Sequence, residues 1–289
     1  MLYLDAQATR AALPAGAAIE SMEVAFGDDR ETPVRTLLGG SLFMPGRAGA
    51  DSGVKVVSTV PGNPVGLVVV FGADGSPIGL VDGAVLTAIR TGAGSGLATR
   101  LLARTNASVL AMLGAGAMAF DQIEAVRTVR PIERTLVWSR DFARAVALAG
   151  RVGGEAVRDP DDAVAAADII STATPSRQPL FSDDAVQAGT HINAVGAFTA
   201  EMCEIPPETV RRAYVVVDDL DAAEQEAGDL IRAERPPVCT IGDVLADRHP
   251  QIGEDVTMFK SVGIASQDVA GAIVALRRAA ALGLGQLLV

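Results

Sequence analysis

Short apolar runs alternate with helical patterns through the middle of the chain, and this alternation constrains the fold more than any other feature. The candidate strands are residues 108–113, 134–138, 168–173, 190–195 and 214–218. The segments between them, which include 183–188, are mostly helical in pattern. Strand–helix–strand units of this length build a parallel sheet with helices on both faces. The sequence therefore predicts a doubly wound α/β domain.

The first part of the chain has a different pattern. Two helices are predicted there and three extended runs follow, at residues 5–12, 14–26, 34–44, 54–60 and 66–71. The stretch "FGADGSPIGLVDG" (71–83) predicts a hairpin with Asp74-Gly75 at its turn. Adjacent hairpins favour an antiparallel sheet. A long helix is expected from about residue 84, with an interruption near Gly92–Gly96.

A glycine-rich turn, "LGAGAMA" (113–119), follows the first strand of the doubly wound region and opens a helix. This context is typical of the dinucleotide-binding turn of a Rossmann fold. Gly114 allows the tight turn, Gly116 allows the backbone to approach a pyrophosphate, and the helix N-terminus faces the phosphates. The predicted cofactor contacts are Gly114, Ala115, Gly116, Ala117 and Met118. The alternative is a glycine-containing turn that binds no ligand.

The next strand ends in Trp138, Ser139 and Arg140, where an NAD-dependent enzyme carries an acidic residue for the ribose 2′-hydroxyl. Because Ser139 and Arg140 suit a 2′-phosphate instead, the sequence favours NADP(H) over NAD(H). The alternative is that Arg140 simply begins a solvated helix. "STATPSRQP" (171–179) follows a later strand. Its residues Thr172, Ala173 and Thr174 are either cofactor contacts or part of a turn built around Pro175.

Composition excludes several classes of function. A formal net charge of −11 argues against binding nucleic acid or an anionic membrane. No apolar run is long enough to span a membrane, and no secretory signal is visible, so a cytoplasmic location is expected. Cys203 and Cys239 suit neither a disulfide framework nor a metal site, and no metal is expected. His191, at the start of a strand, is assigned a structural role rather than a catalytic one.

The chain resembles the ornithine cyclodeaminase/mu-crystallin family. Four stretches support the resemblance: "GVKVVSTVPGNP", "LTAIRTGAGSGLATRLLAR", "LGAGAMA" and "MFKSVGIASQDVA". The resemblance implies a Rossmann domain at 104–263 and a discontinuous α+β domain at 1–103 with 264–289, which binds substrate and forms a homodimer. It places the active site in the cleft between the two domains.

The resemblance also implies a substrate site. Arg35, Lys55 and Arg90 match the basic residues that hold the α-carboxylate of a small-molecule substrate, and Lys55 and Arg90 are the predicted catalytic residues. The alternative for Lys55 is a solvent-facing strand lysine, and Arg35 has the same solvent-facing alternative. Asn63 and Phe198 are assigned to the substrate, and the alternative for Asn63 is a residue that only shapes the turn between Gly62 and Pro64. The positions assigned to the cofactor are Thr91, Val195, Gly196, Lys260, Ser261, Val262 and Gly263.

Phe198 departs from the cyclodeaminase pattern, in which an aspartate at this position binds the distal amine and activates water. The sequence therefore favours an NAD(P)H-dependent oxidoreductase that reduces a 2-imino acid, cyclic or linear, or oxidises the amino acid in reverse. Two alternatives stay open. One is a cyclodeaminase-type lyase that uses NAD transiently, and the other is a binding protein for NADPH and a small ligand, like mu-crystallin.

Overall fold

The computed structural model describes residues 1–60, 65–253 and 255–288, and the chain divides into two compact units. Unit 1 comprises Met1–Gly94 and Ile264–Val289, and unit 2 comprises Ser95–Gly263. The first boundary lies at Gly94/Ser95 rather than at the expected 103/104, so it falls inside a helix rather than after one. That helix was expected to break near its glycines, but it runs without interruption from Gly83 to Leu102.

The first segment of unit 1 forms most of a mixed sheet with two short helices before it. Its elements are β1 (Leu2–Leu4), α1 (Ala6–Ala12), α2 (Ala15–Phe26), β2 (Arg30–Glu31), β3 (Thr36–Leu38), β4 (Ser41–Ala48), β5 (Asp51–Ser58), β6 (Gly66–Phe71), β7 (Pro77–Asp82) and α3 (Gly83–Leu102). The pairs from β4 to β7 are antiparallel, as expected, whereas β1 pairs with β7 in parallel. Gly75, with φ of +78°, lies in the β6–β7 turn as the hairpin predicts.

Unit 2 is a doubly wound parallel sheet, which confirms the predicted fold class. Its elements are β8 (Val109–Leu113), α4 (Ala119–Val129), β9 (Arg134–Trp138), α5 (Phe142–Val152), β10 (Glu155–Ala156), α6 (Pro160–Ala165), β11 (Ile169–Thr172), β12 (His191–Ala194), α7 (Pro207–Arg212), β13 (Tyr214–Val217), α8 (Leu220–Glu226), α9 (Gly228–Ala233), β14 (Cys239–Thr240), α10 (Ile241–Leu245) and β15 (Thr257–Lys260). The strand order is β10-β9-β8-β11-β12-β15-β13-β14.

Two details of unit 2 differ from the sequence analysis. The segment 183–188 was expected to be helical, but only a 3₁₀ turn at Asp183–Ala185 forms, because the backbone is already extended at Val186, with φ of −81° and ψ of 116°. The late segment that forms β15 was given no element. It inserts between β12 and β13, which precede it by many residues, so no local pattern reveals its partners.

The chain returns to unit 1 with α11 (Ala265–Leu282), which packs along one face of the sheet, and ends in β16 (Gln286–Leu287). The helix buries Val269, Ile273 and Leu276 against that face. Gly46 in β4 permits the close approach, since a Cβ there would lie 2.7 Å from the Cβ of Ala265. Among the described residues, no helix has the length and apolar character that crossing a membrane would require.

Candidate functional site

The glycine turn of unit 2 follows β8 directly, and its geometry requires glycine at the first position. Gly114 has φ of +120°, a conformation that L side chains rarely adopt. A Cβ at this position would lie 2.8 Å from the carbonyl oxygen of Ala173. The Gly114 N–H donates to the carbonyl oxygen of Trp138 at 2.8 Å. The turn is therefore held between the carboxyl ends of β9 and β11.

The remainder of the turn leaves room for a ligand. A Cβ on Gly116 would meet no protein atom within 4 Å, and residues 115–118 are partly or fully exposed. The helix α4 begins at Ala119, and no side chain caps it. The exposed turn residues therefore lie at the positive end of the helix dipole. An open glycine beside an uncapped helix N-terminus fits the pyrophosphate of a dinucleotide.

Two arginines, Arg140 and Arg158, follow the carboxyl ends of the paired parallel strands β9 and β10. Arg140 is exposed at the end of β9. Arg158 follows β10, accepts a hydrogen bond from Trp138 Nε1 on its carbonyl oxygen, and stacks its guanidinium 3.9 Å from the ring centre of Phe142. Within the described ranges, neither arginine forms an ion pair with a carboxylate. Asp141 is occupied as the N-cap of α5.

Glu204 holds the two loops that follow β11 and β12, and sequence reasoning did not assign it this role. Its side chain is fully buried. Oε1 accepts from the N–H and hydroxyl of Thr174, at 2.7 and 2.8 Å. Oε2 accepts from the hydroxyl of Thr172 and the N–H groups of Gly196 and Ala197, at 2.9, 2.8 and 3.0 Å. The predicted contacts Thr172, Thr174 and Gly196 therefore converge on one carboxylate.

Asp229 and Lys260 form a second buried layer behind Glu204. Asp229 Oδ1 accepts from the Glu204 N–H at 2.7 Å, and Asp229 Oδ2 accepts from Lys260 Nζ at 2.8 Å. Lys260 Nζ also donates to the carbonyl oxygen of Ala197. Burial and the nearby Asp229 raise the pKa of Glu204. Because the Lys260 side chain is completely buried and bonded to Asp229 and Ala197, its backbone is the part that suits the cofactor role predicted from the sequence.

Asp218 organises the other predicted cofactor segment, Ser261–Gly263. Its Oδ2 accepts from the Ser261 hydroxyl at 2.7 Å and from the N–H groups of Val262 and Gly263 at 3.0 and 2.8 Å. The carboxyl group is completely buried, and this burial raises its pKa despite the hydrogen bonds. The segment is thus fixed by a side chain from the end of the neighbouring strand β13.

Unit 1 brings Lys55 and Arg90 together around a carboxylate that the sequence analysis missed, Asp268. Lys55 lies on β5 and is 4% exposed, so it is not a solvent-facing strand residue. Lys55 Nζ donates to Asp268 Oδ1 at 3.2 Å and to the Thr87 hydroxyl at 2.6 Å. Arg90 Nε donates to the same Asp268 oxygen at 3.1 Å, and its Nη1 donates to Gln267 Oε1 at 3.1 Å.

The pKa values of Lys55 and Asp268 are both lowered, but for different reasons. Burial and the repulsion of Arg90 lower the pKa of Lys55 to about 8, although Asp268 opposes the change. Burial disfavours the charged form of Asp268, but Arg90 and Lys55 outweigh it and lower the pKa of that carboxyl. Arg35, half-buried before β3, contributes further to the lowered pKa of Lys55. The three predicted basic residues therefore share one electrostatic environment.

Other predicted residues stand apart from these clusters. Thr91 is buried in α3, and its hydroxyl has no hydrogen-bond partner among the described residues. Phe198 is 44% exposed in the loop after β12. Asn63 lies outside the described residues. Ala173 and Val195 sit in the loops that Glu204 joins, where their N–H groups bond to Leu113 and Thr172.

His191 has the structural environment that its sequence context suggested. Its ring contacts the Thr257 hydroxyl at 2.9 Å and Asn193 Oδ1 at 3.2 Å, and burial lowers its pKa to about 3. In the part of the chain that the structure describes, no group of His, Cys, Asp and Glu side chains is arranged to hold a metal ion. Cys203 and Cys239 are both buried free thiols.

The parallel sheet, the glycine turn and the ordered loops at the strand ends define unit 2 as a Rossmann-type dinucleotide-binding unit. Beside it in the chain, unit 1 carries a buried basic cluster on an antiparallel-rich sheet. The chain belongs to the ornithine cyclodeaminase/mu-crystallin family, whose model matches residues 31–281.

Similar proteins include both reductases and dehydrogenases. The chain is 36% identical to a Delta(1)-pyrroline-2-carboxylate reductase of Bacillus cereus over 287 residues, which covers 88% of each protein. The structure of the Thermococcus litoralis Delta(1)-pyrroline-2-carboxylate reductase in complex with NADH and L-proline matches with a TM-score of 0.92 and 29% identity, covering 100% of both chains. An archaeal alanine dehydrogenase dimer with bound NAD matches with a TM-score of 0.91 and 28% identity, covering 100% of this chain and 99% of the other.

Proposed function

We propose that this chain is an NAD(P)H-dependent oxidoreductase that reduces a 2-imino acid to the amino acid, or catalyses the reverse oxidation. The substrate is a small molecule with an α-carboxylate, of which pyrroline-2-carboxylate is the first to test. The Bacillus cereus and Thermococcus litoralis reductases support this assignment. The glycine turn supports the use of a dinucleotide.

The observation that carries the proposal is the unbalanced charge of the buried cluster in unit 1. Two cations, Lys55 and Arg90, share a single carboxylate, Asp268. One positive charge is therefore left uncompensated within this buried group, and Arg35 adds to the positive potential. Burying an unpaired charge is costly, so the site favours an anionic ligand. A substrate carboxylate supplies that anion, and the planar guanidinium of Arg90 suits it.

Each group has a defined part in the proposed reaction. The bound dinucleotide supplies a hydride to the imine carbon. Arg90, with Lys55 and Arg35, binds and orients the carboxylate. A proton on the imine nitrogen makes the carbon a better electrophile, and Lys55 or a bound water is the candidate donor. The loops held by Glu204 and Asp218 provide a fixed backbone for the cofactor.

The assay for this proposal separates three outcomes. Purified protein is incubated with NADPH and pyrroline-2-carboxylate while the absorbance of the reduced nicotinamide is followed. Steady oxidation of the cofactor supports the proposal. Release of proline and ammonia from ornithine without net cofactor change would instead indicate a cyclodeaminase, which the exposed Phe198 makes unfavourable because it cannot act as a base. Tight NADPH binding without turnover of any imino or amino acid would indicate a binding protein.

The basic cluster is tested by Lys55→Ala and Arg90→Ala. Each substitution should lower kcat/KM by about 10²-fold or more while NADPH binds as before. Arg277→Ala is the matched control, since Arg277 is an exposed cation of α11 that pairs with Asp51. Full activity in either cluster variant would refute the assignment.

We further propose that NADP(H) is preferred over NAD(H). Arg140 and Arg158 follow neighbouring strand ends, with Ser139 between strand and helix, and these groups suit a 2′-phosphate. The cap carboxylates of Asp141 and Asp159 each already accept from a backbone N–H. Arg140→Ala should weaken the binding of NADPH more than that of NADH, measured by fluorescence titration. Equal effects on both cofactors would argue against this contact.

A homodimer in the cytoplasm completes the proposal. The face of the unit 1 sheet opposite α11 is apolar: Val54, Val56 and Val69 are half-buried there, and Leu67 and Phe71 are 40% and 38% exposed. A sheet face of this kind is suited to a second copy of the chain. The archaeal alanine dehydrogenase dimer supports this assembly.

A further inference from the structure

Asp268 is the group through which the two cations of unit 1 meet. Its Oδ1 accepts from both Lys55 Nζ and Arg90 Nε, at 3.2 and 3.1 Å. The side chain is 1% exposed, and its Oδ2 has no hydrogen-bond partner among the described residues. The adjacent Gln267 accepts from Arg90 Nη1 and from the N–H of Ile264, which fixes the start of α11. The carboxylate is thus rigidly placed and dedicated to the two cations.

We propose that Asp268 is a positioning residue that keeps Lys55 protonated and holds Arg90 beside it, so that the two cations together receive the substrate carboxylate. This inference rests on the proposed function for its catalytic meaning. The dependence of the Lys55 charge on Asp268 can be measured without substrate.

The charged groups around Lys55 explain why the carboxylate is needed. Arg90 on α3 and Arg35 before β3 both repel the ammonium group, Thr87 on α3 is neutral, and Asp268 on α11 is the carboxylate that attracts it. Burial also disfavours the charged lysine. With Asp268 present, these effects leave the pKa of Lys55 at about 8, so the side chain is mostly protonated at neutral pH. Without that negative charge, every remaining influence on Lys55 favours loss of its proton.

Asp268 also determines which edge of Arg90 is available. Asp268 occupies the Nε–H of the guanidinium and Gln267 occupies one Nη1–H. Within the described residues, the Nη2 group and the second Nη1–H have no acceptor. These donors form the end-on fork that binds a carboxylate through two parallel hydrogen bonds. An Arg90 freed from Asp268 would lose this orientation, and the cation pair would no longer be pre-organised.

A direct measurement is possible because the sequence contains two lysines, Lys55 and Lys260. Lysine labelled with ¹³C at Cε gives two signals, and the Lys55→Arg variant assigns them. We titrate the Lys55 signal of the full-length protein from about pH 5 to about pH 11, a range that spans the ordinary and lowered lysine pKa values. In Asp268→Asn, the midpoint should fall by about one to three pH units relative to the wild type.

The matched control is Asp51→Asn. Asp51 on β5 pairs with Arg277 on α11 at 2.9 Å, so this substitution removes an ion pair between the same strand and the same helix without touching Lys55. Its Lys55 midpoint should equal that of the wild type. If Asp268→Asn does not fold, Asp268→Glu replaces it: the longer carboxylate keeps the charge, so the midpoint should stay within about half a unit while kcat/KM falls.

The outcomes distinguish the inference from the proposed function. With pyrroline-2-carboxylate and NADPH, the basic limb of the kcat/KM profile should shift to lower pH in Asp268→Asn by the same amount as the Lys55 midpoint. Titration of the free substrate is common to all variants and cancels in the comparison. A Lys55 midpoint that does not move in Asp268→Asn, or that falls by a unit or more in Asp268→Glu, would overturn the inference. A shifted midpoint in a protein that reduces no imino acid would overturn only the proposed function.

Discussion

At the scale of single residues, buried ionisable side chains account for most of the chemistry described above. Lys55, Asp218, Glu204 and Asp268 are each almost inaccessible to solvent, and each is placed by hydrogen bonds or an ion pair. A buried charge without partners is costly, so such groups persist only where neighbouring donors or opposite charges compensate them. In unit 2, backbone N–H groups donate to the buried carboxylates of Glu204 and Asp218. In unit 1, two buried cations share the one carboxylate of Asp268.

His191 is another buried ionisable residue, and it makes the stability of the protein depend on pH. Its pKa is lowered to about 3 from 6.5, so below pH 6.5 the unfolded chain binds a proton that the folded chain does not. The free energy of unfolding should therefore fall as the pH decreases from 6.5 towards 3, by about 1.4 kcal/mol per pH unit from this site.

The variant His191→Asn removes this contribution. Its free energy of unfolding, measured with denaturant, should fall less steeply as the pH decreases, although the variant is less stable at neutral pH. His249→Asn is the matched control, because the chain contains these two histidines and His249 lies in a partly exposed loop. Identical acid slopes in wild type and His191→Asn would contradict the assigned burial.

At the scale of elements, the loops that directly follow the strands of unit 2 form the proposed cofactor site. The β8 turn is shaped by Gly114, whereas Gly116 has open space where a side chain would project. Gly116→Ala should leave the free energy of unfolding of the ligand-free protein within about 0.5 kcal/mol of the wild type. The same substitution should weaken NADPH binding by about tenfold or more, because the methyl group enters the pyrophosphate space.

Thermal unfolding and NADPH titration test this prediction together. Gly150→Ala is the matched control: Gly150 lies inside α5, and a Cβ there also meets no atom within 4 Å. It should leave NADPH affinity unchanged and stabilise the helix slightly. Unaltered NADPH affinity in Gly116→Ala would show that the turn does not hold the pyrophosphate.

The loops after β11 and β12 give a second prediction at this scale. The Glu204 carboxylate accepts five hydrogen bonds from the two loops. In Glu204→Gln an NH₂ group, which cannot accept a hydrogen bond, replaces one carboxylate oxygen, so at least one buried donor loses its acceptor. The free energy of unfolding should fall by about 1–3 kcal/mol, and NADPH should bind more weakly because the loops lose their common anchor. Glu201→Gln is the control, because Glu201 is an exposed neighbour that accepts from the Thr199 hydroxyl and does not join the two loops. Equal stability and affinity in both variants would contradict the role of Glu204.

The sequence predicted those elements whose signals are local. The strand–turn–helix at Gly114, the hairpin at Asp74-Gly75 and the apolar β-strand around Lys55 each depend on residues within a short window. Asp268 is 213 residues from Lys55 in the chain, and Glu204 follows the Thr174 it binds by 30 residues. No spacing rule connects such pairs, so these carboxylates emerge only from the folded contacts. The strand β15 was missed for the same reason.

At the scale of the whole molecule, assembly is the property most open to test. The apolar face formed by β5 and β6 predicts a dimer in solution. Phe71→Asp, or Leu67→Asp, places a charge on that face and should shift the protein to monomers in size-exclusion chromatography with light scattering. Leu220→Asp is the control, since Leu220 is similarly exposed, at 49%, but belongs to unit 2. Dimers that persist in both sheet variants would place the interface elsewhere.

The discontinuity of unit 1 has a consequence for synthesis on the ribosome. Residues 95–263 form a contiguous unit that can fold as soon as it emerges, whereas the earlier sheet strands wait for α11, which is made after all of unit 2. Until then the apolar face that α11 covers is exposed, and nascent chains in this state are prone to aggregate. Lys55 and Arg90 also wait, because Asp268 arrives with α11. We therefore expect the basic cluster to be one of the last features of the protein to form.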